Sequence, residues 1–481
     1  MDRERIEIEN EIIDKLTGKI YLMQDLNERK EVIFNVFLEV YNTSKCKAFL
    51  KRSKGLEMES FFNEFLSYGL IEAFLNDKEV EDIMINSLGP IYIHKSKIGM
   101  IKTEKRFTTK EELDLFIKKL VIFSGRESKK KLHNIELSGI RGRVNIVYSP
   151  FGPQITITRA KKKPLSIVDL IKTGTLTPEL AGQFWLYVEG LGVKPANIII
   201  AGGPGSGKTT LLNALFNFVP ETDRVVIIEE AFELNIDPEK NCSRLESEEE
   251  LSMADLVKNS LRMRPDRIIV GEVRGREARD LMTAMNIGKY CMGTLHASTA
   301  RETIMRLENE PMNVPEVLMN LVDVFVIMRR YNIKGSVYRV VGELVETAGM
   351  EKKTVLLSIL CSYDPVSKSF QDYSVSSIYR DRLAVVSGKT PREILDEIKV
   401  RAGIFQALIA NNITDMQEVS ELCCRYINNP ESVLKELGIN REELLRNKAH
   451  DKWFDFSLIF KGRLPSFNSR VLRYSRWLLI Y

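Results

Sequence analysis

Hydrophobic and polar positions change their period along the chain, and the changes divide it into regions. Through residue 60, apolar positions recur at helical spacing among charged neighbours. From 61 to 160, short apolar runs alternate with turns and one helical pattern covers 110–123, which predicts an α+β domain. Three lysines followed by a proline predict an exposed linker over 161–175.

Strands and helices alternate between 176 and 345, and this pattern is typical of a parallel sheet covered on both faces. From 346 to 481 the pattern predicts a strand pair and then helices. The fold class expected from these regions is α/β. The strands predicted for the sheet are 198–200, 225–228, 267–270 and 291–295, and the helices between them are 208–215, 253–262 and 278–286.

Three segments of less regular pattern have more than one interpretation. Residues 1–60 fit either a partner-binding arm or a helical layer packed on the next domain. The basic residues Arg126 and 129–131 fit a solvated loop, or a surface that faces acidic phospholipid or a neighbour's nucleotide. The apolar end, 475–481, is expected to pack against a partner or a core rather than a membrane.

Composition narrows the class of protein. Of the 481 residues, 44% are hydrophobic, which is enough for sizeable cores and excludes a disordered chain. A net charge of +4 is too close to balance to indicate a nucleic-acid partner. The six cysteines have no C-x-x-C spacing, and no apolar signal segment or membrane-spanning run is present. We therefore expect a cytoplasmic protein, at most peripheral to a membrane.

A phosphate-binding loop joins the strand at 198–200 to the helix at 208–215. Gly202, Gly207, Lys208 and Thr209 satisfy G-x-x-x-x-G-K-[ST], in which backbone N–H groups and the helix N-terminus surround an anion. Lys208 is expected to reach the β- and γ-phosphates of ATP, and the Thr209 hydroxyl to bind Mg²⁺. The residues assigned to the nucleotide are Gly202, Gly203, Pro204, Gly205, Ser206, Gly207, Lys208, Thr209 and Thr210.

Ionisable residues follow the neighbouring strands at the edge where the loop lies. Glu229, Glu272 and His296 each end or follow a predicted strand, and ligands of open α/β sheets bind at the carboxyl ends of strands. Glu272 is a candidate Mg²⁺ contact, through water. Glu229 is expected to orient or deprotonate the attacking water, with Glu233 as a second carboxylate, and His296 to sense the γ-phosphate. The plainer alternatives are exposed strand ends and a structural histidine.

Arg143 and Arg159, from the preceding domain, are further catalytic candidates. Phosphoryl transfer gains from positive charge at the γ-phosphate, and an arginine finger can come from another domain or subunit. The alternative for each is a surface ion pair.

Together these motifs resemble those of the type II/IV secretion-system ATPases, whose Walker A, Asp box, Walker B and His box have this order and spacing. The resemblance covers roughly residues 70 to 440, and it is strongest to the archaeal branch that drives type IV pili and the archaellum. Glu230 is a departure, since the family usually has Asp there. The segments that carry the resemblance are Gly202–Thr210, Ile228–Glu233, Leu261–Gly275, Gly293–Ala297 and Arg301–Val314.

This resemblance implies a RecA-like core, a hexameric ring, and docking on a polytopic membrane platform protein at the inner face of the cell membrane, with pilin-like filament subunits as indirect partners. By motif position it implies that Glu229 is the Asp-box glutamate, Glu272 the Walker B glutamate and His296 the His-box histidine. Arg143 and Arg159 match arginines that face nucleotide in relatives.

Two other classes of function compete with a filament motor. A RecA-like translocase or conjugative DNA-transfer ATPase predicts a basic, aromatic-bearing channel, and the lysine runs at 129–131 and 161–163 have no interleaved aromatics, so nucleic acid is not the expected partner. A nucleotide-gated scaffold would bind ATP without turnover. The sequence does not distinguish pilus, archaellum and secretion, or extension, retraction and rotation.

Overall fold

In the computed structural model the chain forms two compact units, Met1–Lys163 and Pro164–Tyr481. The basic cluster at Arg126 and 129–131, the linker lysines at 161–163 and the apolar end at 475–481 lie outside the described residues. Those described are 3–21, 24, 26–52, 57–95, 98–125, 132–137, 142–159, 164–230, 233–234, 241–248, 250–333, 336–372 and 377–446.

The first unit combines a helical layer with an antiparallel sheet. The helices are α1 (Arg3–Leu16), α2 (Leu26–Tyr41), α3 (Ser44–Arg52), α4 (Met58–Leu66), α5 (Glu72–Asn76) and α6 (Lys110–Phe123). The strands are β1 (Val80–Asn86), β2 (Ile91–Lys95), β3 (Gly99–Lys102), β4 (Leu132–Leu137), β5 (Gly142–Ser149) and β6 (Gly152–Arg159). The sheet has the order β3-β2-β1-β6-β5-β4.

Helix α6 is apolar on two sides and joins two cores. The Thr109 side chain begins the helix by accepting a hydrogen bond from the Glu112 N–H at 3.2 Å. Leu113 and its neighbours pack on the sheet, whereas Leu115 and Ile122 belong to a core shared with the helices before it. Of the two interpretations of residues 1–60, the described helices therefore fit the packed layer.

The second unit is a large mixed sheet with helices on both faces. The helices are α7 (Ile167–Lys172), α8 (Pro178–Glu189), α9 (Lys208–Leu215), α10 (Met253–Ser260), α11 (Glu277–Asn286), α12 (Ala300–Glu308), α13 (Glu316–Met319), α14 (Ile378–Ser387), α15 (Pro391–Ala410), α16 (Met416–Asn428), α17 (Pro430–Glu436) and α18 (Arg441–Arg446). The strands are β7 (Ile198–Gly202), β8 (Val225–Glu229), β9 (Cys242–Glu246), β10 (Arg267–Val270), β11 (Tyr290–Leu295), β12 (Val324–Ile333), β13 (Ser336–Glu351), β14 (Thr354–Asp364) and β15 (Ser369–Asp372).

The order of this sheet is β15-β14-β13-β12-β7-β11-β10-β8-β9. The parallel part of the sheet consists of β12, β7, β11, β10, β8 and β9. Strands β13, β14 and β15 are added antiparallel next to β12. Both faces of the central strands are buried in separate apolar cores, which explains their unbroken β-branched runs. The α/β fold class predicted from the sequence is confirmed.

The strands after residue 330 belong to this same sheet. The sequence predicts short strands at 337–341 and 355–360 and a region boundary at 345/346, but β13 runs through that boundary and pairs with β12 and β14. The strand pair is thus an extension of the parallel sheet and not a separate layer. Within the described residues, no helix has both the length and the apolar character needed to cross a membrane.

Candidate functional site

The phosphate loop lies between the buried strand β7 and helix α9, and glycine is required at three of its positions. Gly205 and Gly207 have φ values of 66° and 97°, which side chains rarely adopt. A Cβ on Gly202 would lie 2.6 Å from the Met328 carbonyl oxygen of β12. The loop is therefore fixed both by its own turns and by close contact with the neighbouring strand.

Lys208 is buried at the start of α9, and its ammonium group has three partners within the protein. It donates hydrogen bonds to the Gly202 and Gly203 carbonyl oxygens at 3.0 and 3.1 Å, and Nζ lies 3.3 Å from Nδ1 of His296. Burial lowers the pKa of Lys208, opposed by the charges of Glu272 and Glu233. A phosphate entering the loop would replace some of these contacts with stronger, charge-assisted ones.

His296 connects Lys208 to Glu272. An ammonium group only donates, so Nδ1 of the imidazole accepts from Lys208 and the ring proton lies on Nε2. Nε2 lies 3.2 Å from Oε1 of Glu272. Glu272, His296 and Lys208 thus form one continuous polar chain at the carboxyl ends of the strands.

Glu229 is 2% exposed, and both of its carboxylate oxygens are bound. Oε1 accepts the backbone N–H groups of Glu233 and Leu234 at 2.9 and 3.0 Å, while Oε2 lies 3.2 Å from an Arg244 nitrogen. Burial raises the pKa of this carboxyl, opposed by these bonds. The water-activating role of Glu229 stays a prediction, and its contacts add a second role in holding residues 233–234.

Other acidic residues in this crevice differ in exposure. Glu233 is exposed, and its charge acts on Lys208. Glu230, the departure from the family pattern, forms an ion pair with Arg274. A Cβ on Gly271 would lie 2.9 Å from the Glu229 side chain, so the chain before Glu272 packs directly on Glu229.

Arg143 and Arg159 lie in the first unit, on the neighbouring strands β5 and β6. Arg159 donates to the carbonyl oxygens of Asp77 and Val80, the latter at 3.0 Å, and burial lowers its pKa. Arg143 stands opposite Glu136 and Thr158 in the sheet. A role for either arginine in nucleotide chemistry remains a prediction.

Two arginines that the sequence analysis did not select lie against the phosphate loop. The Arg339 Nε–H donates to the Gly205 carbonyl oxygen at 2.9 Å. A Cβ on Gly205 would lie 3.5 Å from a guanidinium nitrogen of Arg330. Only the pairing of β12 with both β7 and β13 brings them here, and the adjacent arginines at 329–330 were the only local signal.

Comparison with known proteins agrees with these motifs. Residues 131–419 match the family model described as type II/IV secretion system protein. An uncharacterised protein of Methanocaldococcus jannaschii is 40% identical over 234 residues, covering 46% of this chain and 32% of that protein. A probable conjugal transfer protein TrbB of Sinorhizobium fredii is 30% identical over 270 residues, covering 53% of this chain and 81% of that protein.

Similar solved structures include the Legionella pneumophila ATPase DotB, with a TM-score of 0.44 and 17% identity over 75% of this chain and 94% of that one.

The region that matches the Methanocaldococcus jannaschii relative spans only about a third of that relative's length. The family match itself covers most of the second unit and the end of the first. The chain therefore belongs to the type II/IV secretion system protein family.

Proposed function

We propose that this protein is a Mg²⁺-dependent ATPase that works as a hexameric ring and powers the assembly or secretion of type IV pilin-like subunits. The observation that supports the chemistry best is the chain Lys208–His296–Glu272, which joins the phosphate loop to the strand-end carboxylate with gaps of 3.3 and 3.2 Å. This arrangement links the position of the γ-phosphate to the carboxylate expected to contact Mg²⁺ through water.

Each group of residues in the crevice has a separate proposed role in phosphoryl transfer to water. Lys208 and the loop N–H groups bind the β- and γ-phosphates. Thr209 and Glu272 supply the hard oxygen ligands that Mg²⁺ prefers, and the ion would neutralise charge on the phosphate oxygens. Glu272, Glu229 and Glu233 are the carboxylates proposed to position water, as its oxygen bonds to the γ-phosphorus and the bond to the β–γ bridging oxygen breaks. His296 reports the state of the γ-phosphate through Lys208.

Subunit assembly and location form the finer part of the proposal. Arg143 and Arg159 are proposed to reach the nucleotide from the first unit, of the same or a neighbouring subunit. The ring would dock on a polytopic platform protein at the cytoplasmic face of the membrane. Membership of the type II/IV secretion system protein family supports this assignment.

Turnover of ATP with Mg²⁺ tests the proposal, measured over a concentration series with light scattering to follow mass. We expect activity that rises as a ring of about six subunits forms. Lys208→Ala should abolish it. An inactive wild-type protein that still binds ATP would instead support the nucleotide-gated scaffold.

A DNA-transfer ATPase is a second candidate, because one relative carries the name of a conjugal transfer protein. Single-stranded DNA added to the same assay distinguishes the two. Stimulation of turnover that weakens with salt would favour DNA transfer. A turnover rate that is unchanged by added DNA would favour the filament motor.

A further inference from the structure

The sheet order determines which way a nucleotide lies across the phosphate loop. The loop follows β7, and Glu229, Glu272 and His296 all stand at the ends of β8, β10 and β11, on one side of β7. The γ-phosphate must point to that side, where the carboxylates lie. The α-phosphate end of the nucleotide is then directed to the other side of β7, towards β12 and β13.

Two arginines occupy that second side. Arg330 on β12 and Arg339 on β13 stand directly opposite each other in the antiparallel register. Like charges at directly opposed positions are unfavourable, and an anion between them relieves the repulsion. Both residues are exposed, and among the described residues neither forms an ion pair with a carboxylate.

The neighbouring arginine shows the contrast. Arg329 precedes Arg330 on the same strand, so its side chain points to the opposite face of the sheet. There it forms an ion pair with Glu343. Arg329 thus has a structural partner, whereas the face at the phosphate loop carries two guanidinium groups and no acidic partner among the residues described.

Both arginines are also held close to the loop itself. The Arg339 Nε–H donates to the Gly205 carbonyl oxygen at 2.9 Å, and a Cβ on Gly207 would lie 3.6 Å from the Arg339 side chain. The Nε bond leaves the two terminal nitrogens of Arg339 as further donors. A Cβ on Gly205 would meet Arg330 at 3.5 Å.

We propose that Arg330 and Arg339 bind the α-phosphate of the nucleotide from within the same subunit. The proposal rests on the proposed ATP-binding function of the loop and assigns the residues that hold the nucleotide's other end. The pair acts in binding and not in cleavage, since the bond that breaks lies on the side of Glu272.

Calorimetric titration of the full chain in Mg²⁺ tests this proposal with Arg330→Gln and Arg339→Gln. The probes are ADP, a non-hydrolysable ATP analogue and inorganic triphosphate. Each variant should weaken all three by about tenfold or more, as expected for lost charge-assisted hydrogen bonds. In turnover, KM should rise in the same proportion with little change in kcat, and Arg339→Lys should restore part of the affinity.

Arg329→Gln is the matched control, because it removes the same charge one residue away on the other face. It should leave the affinities unchanged, and melting temperatures show that each variant is folded. Unchanged affinities in both test variants would overturn the proposal. A loss for the nucleotides but not for triphosphate would also overturn it, in favour of contacts to sugar or base. A wild-type protein that binds none of the three probes contradicts the proposed function as well.

Discussion

At the scale of single residues, the two neighbours of His296 determine which of its ring nitrogens carries the proton. The Lys208 ammonium group can only donate, so the imidazole nitrogen that faces it accepts, and the ring proton lies on the nitrogen that faces Glu272. Glu272 is 41% exposed at its side chain, whereas Glu229 is buried and fully bound. Of these two carboxylates, Glu272 is therefore the one accessible to water and Mg²⁺.

Replacing Glu272 by Gln tests this assignment. The amide keeps the shape but removes the charge that orients water and supports Mg²⁺, so we expect kcat to fall by at least about a hundredfold. ATP binding should persist because Lys208 and the loop are intact. Steady-state turnover and nucleotide titration measure the two effects. Glu230→Gln, at the exposed ion pair with Arg274, is the control, and a Glu272→Gln variant with full turnover would refute the assignment.

At the scale of elements, helices α8 and α15 cross closely enough to exclude a methyl group. A Cβ on Gly182 would lie 2.8 Å from the Ile398 carbonyl oxygen and 3.2 Å from the Ala402 nitrogen. Alanine normally stabilises a helix relative to glycine, but here its methyl group would force the backbones of the two helices apart. We expect Gly182→Ala to lower the free energy of unfolding by about 1–3 kcal/mol. Chemical denaturation followed by tryptophan fluorescence measures this.

Gly403 in α15 is the matched control for this prediction. A Cβ there would meet only the end of the Leu444 side chain, at 2.5 Å, and this flexible group can move. Gly403→Ala should therefore be neutral, or stabilise by up to about 1 kcal/mol through helix propensity. If both alanines had the same effect, the backbone contact would not be the cause.

The helical layer of the first unit is attached to α6 by a buried charge cluster. Glu9 is 2% exposed and lies 2.8 Å from Arg5 and 3.4 Å from Lys119, whose pKa is lowered by burial. Glu9→Leu would remove this partner from the buried Lys119 and the half-buried Arg5, and should cost about 3–5 kcal/mol. Lys119→Met should cost less, because Glu9 keeps Arg5.

Far-UV circular dichroism during denaturation follows this change. All three tryptophans lie beyond residue 163, so tryptophan fluorescence reports on the second unit and serves as the internal reference. An equal loss in both variants would contradict the role given to Arg5. No loss in either would show that the layer does not depend on the charge cluster.

At the scale of the whole molecule, features that depend on a local sequence pattern are predicted from the sequence, whereas features that depend on the order of strands in the sheet are not. Helix α9 and strand β10 have the predicted bounds, because a glycine loop and an unbroken apolar run are local features. Strand β9 was missed, since its polar, half-exposed residues resemble a loop. Arg330 and Arg339 were missed because only the order of non-neighbouring strands brings them to the phosphate loop.

The proposed assembly into a ring gives a prediction that no single subunit can satisfy. If Arg143 completes the nucleotide site of a neighbouring subunit, Lys208→Ala and Arg143→Gln should each be inactive alone. Mixing equal amounts and allowing subunits to exchange would place an intact loop beside an intact arginine at about one in four interfaces. Turnover should then recover to a comparable fraction of the wild-type rate, measured after exchange at fixed total concentration.

Mixing Lys208→Ala with Glu272→Gln is the control without recovery. Both changes lie in the second unit of the chain, so every nucleotide site of that mixture carries one of them. A mixture with Arg143→Gln that stays inactive would show that the arginine acts within its own subunit.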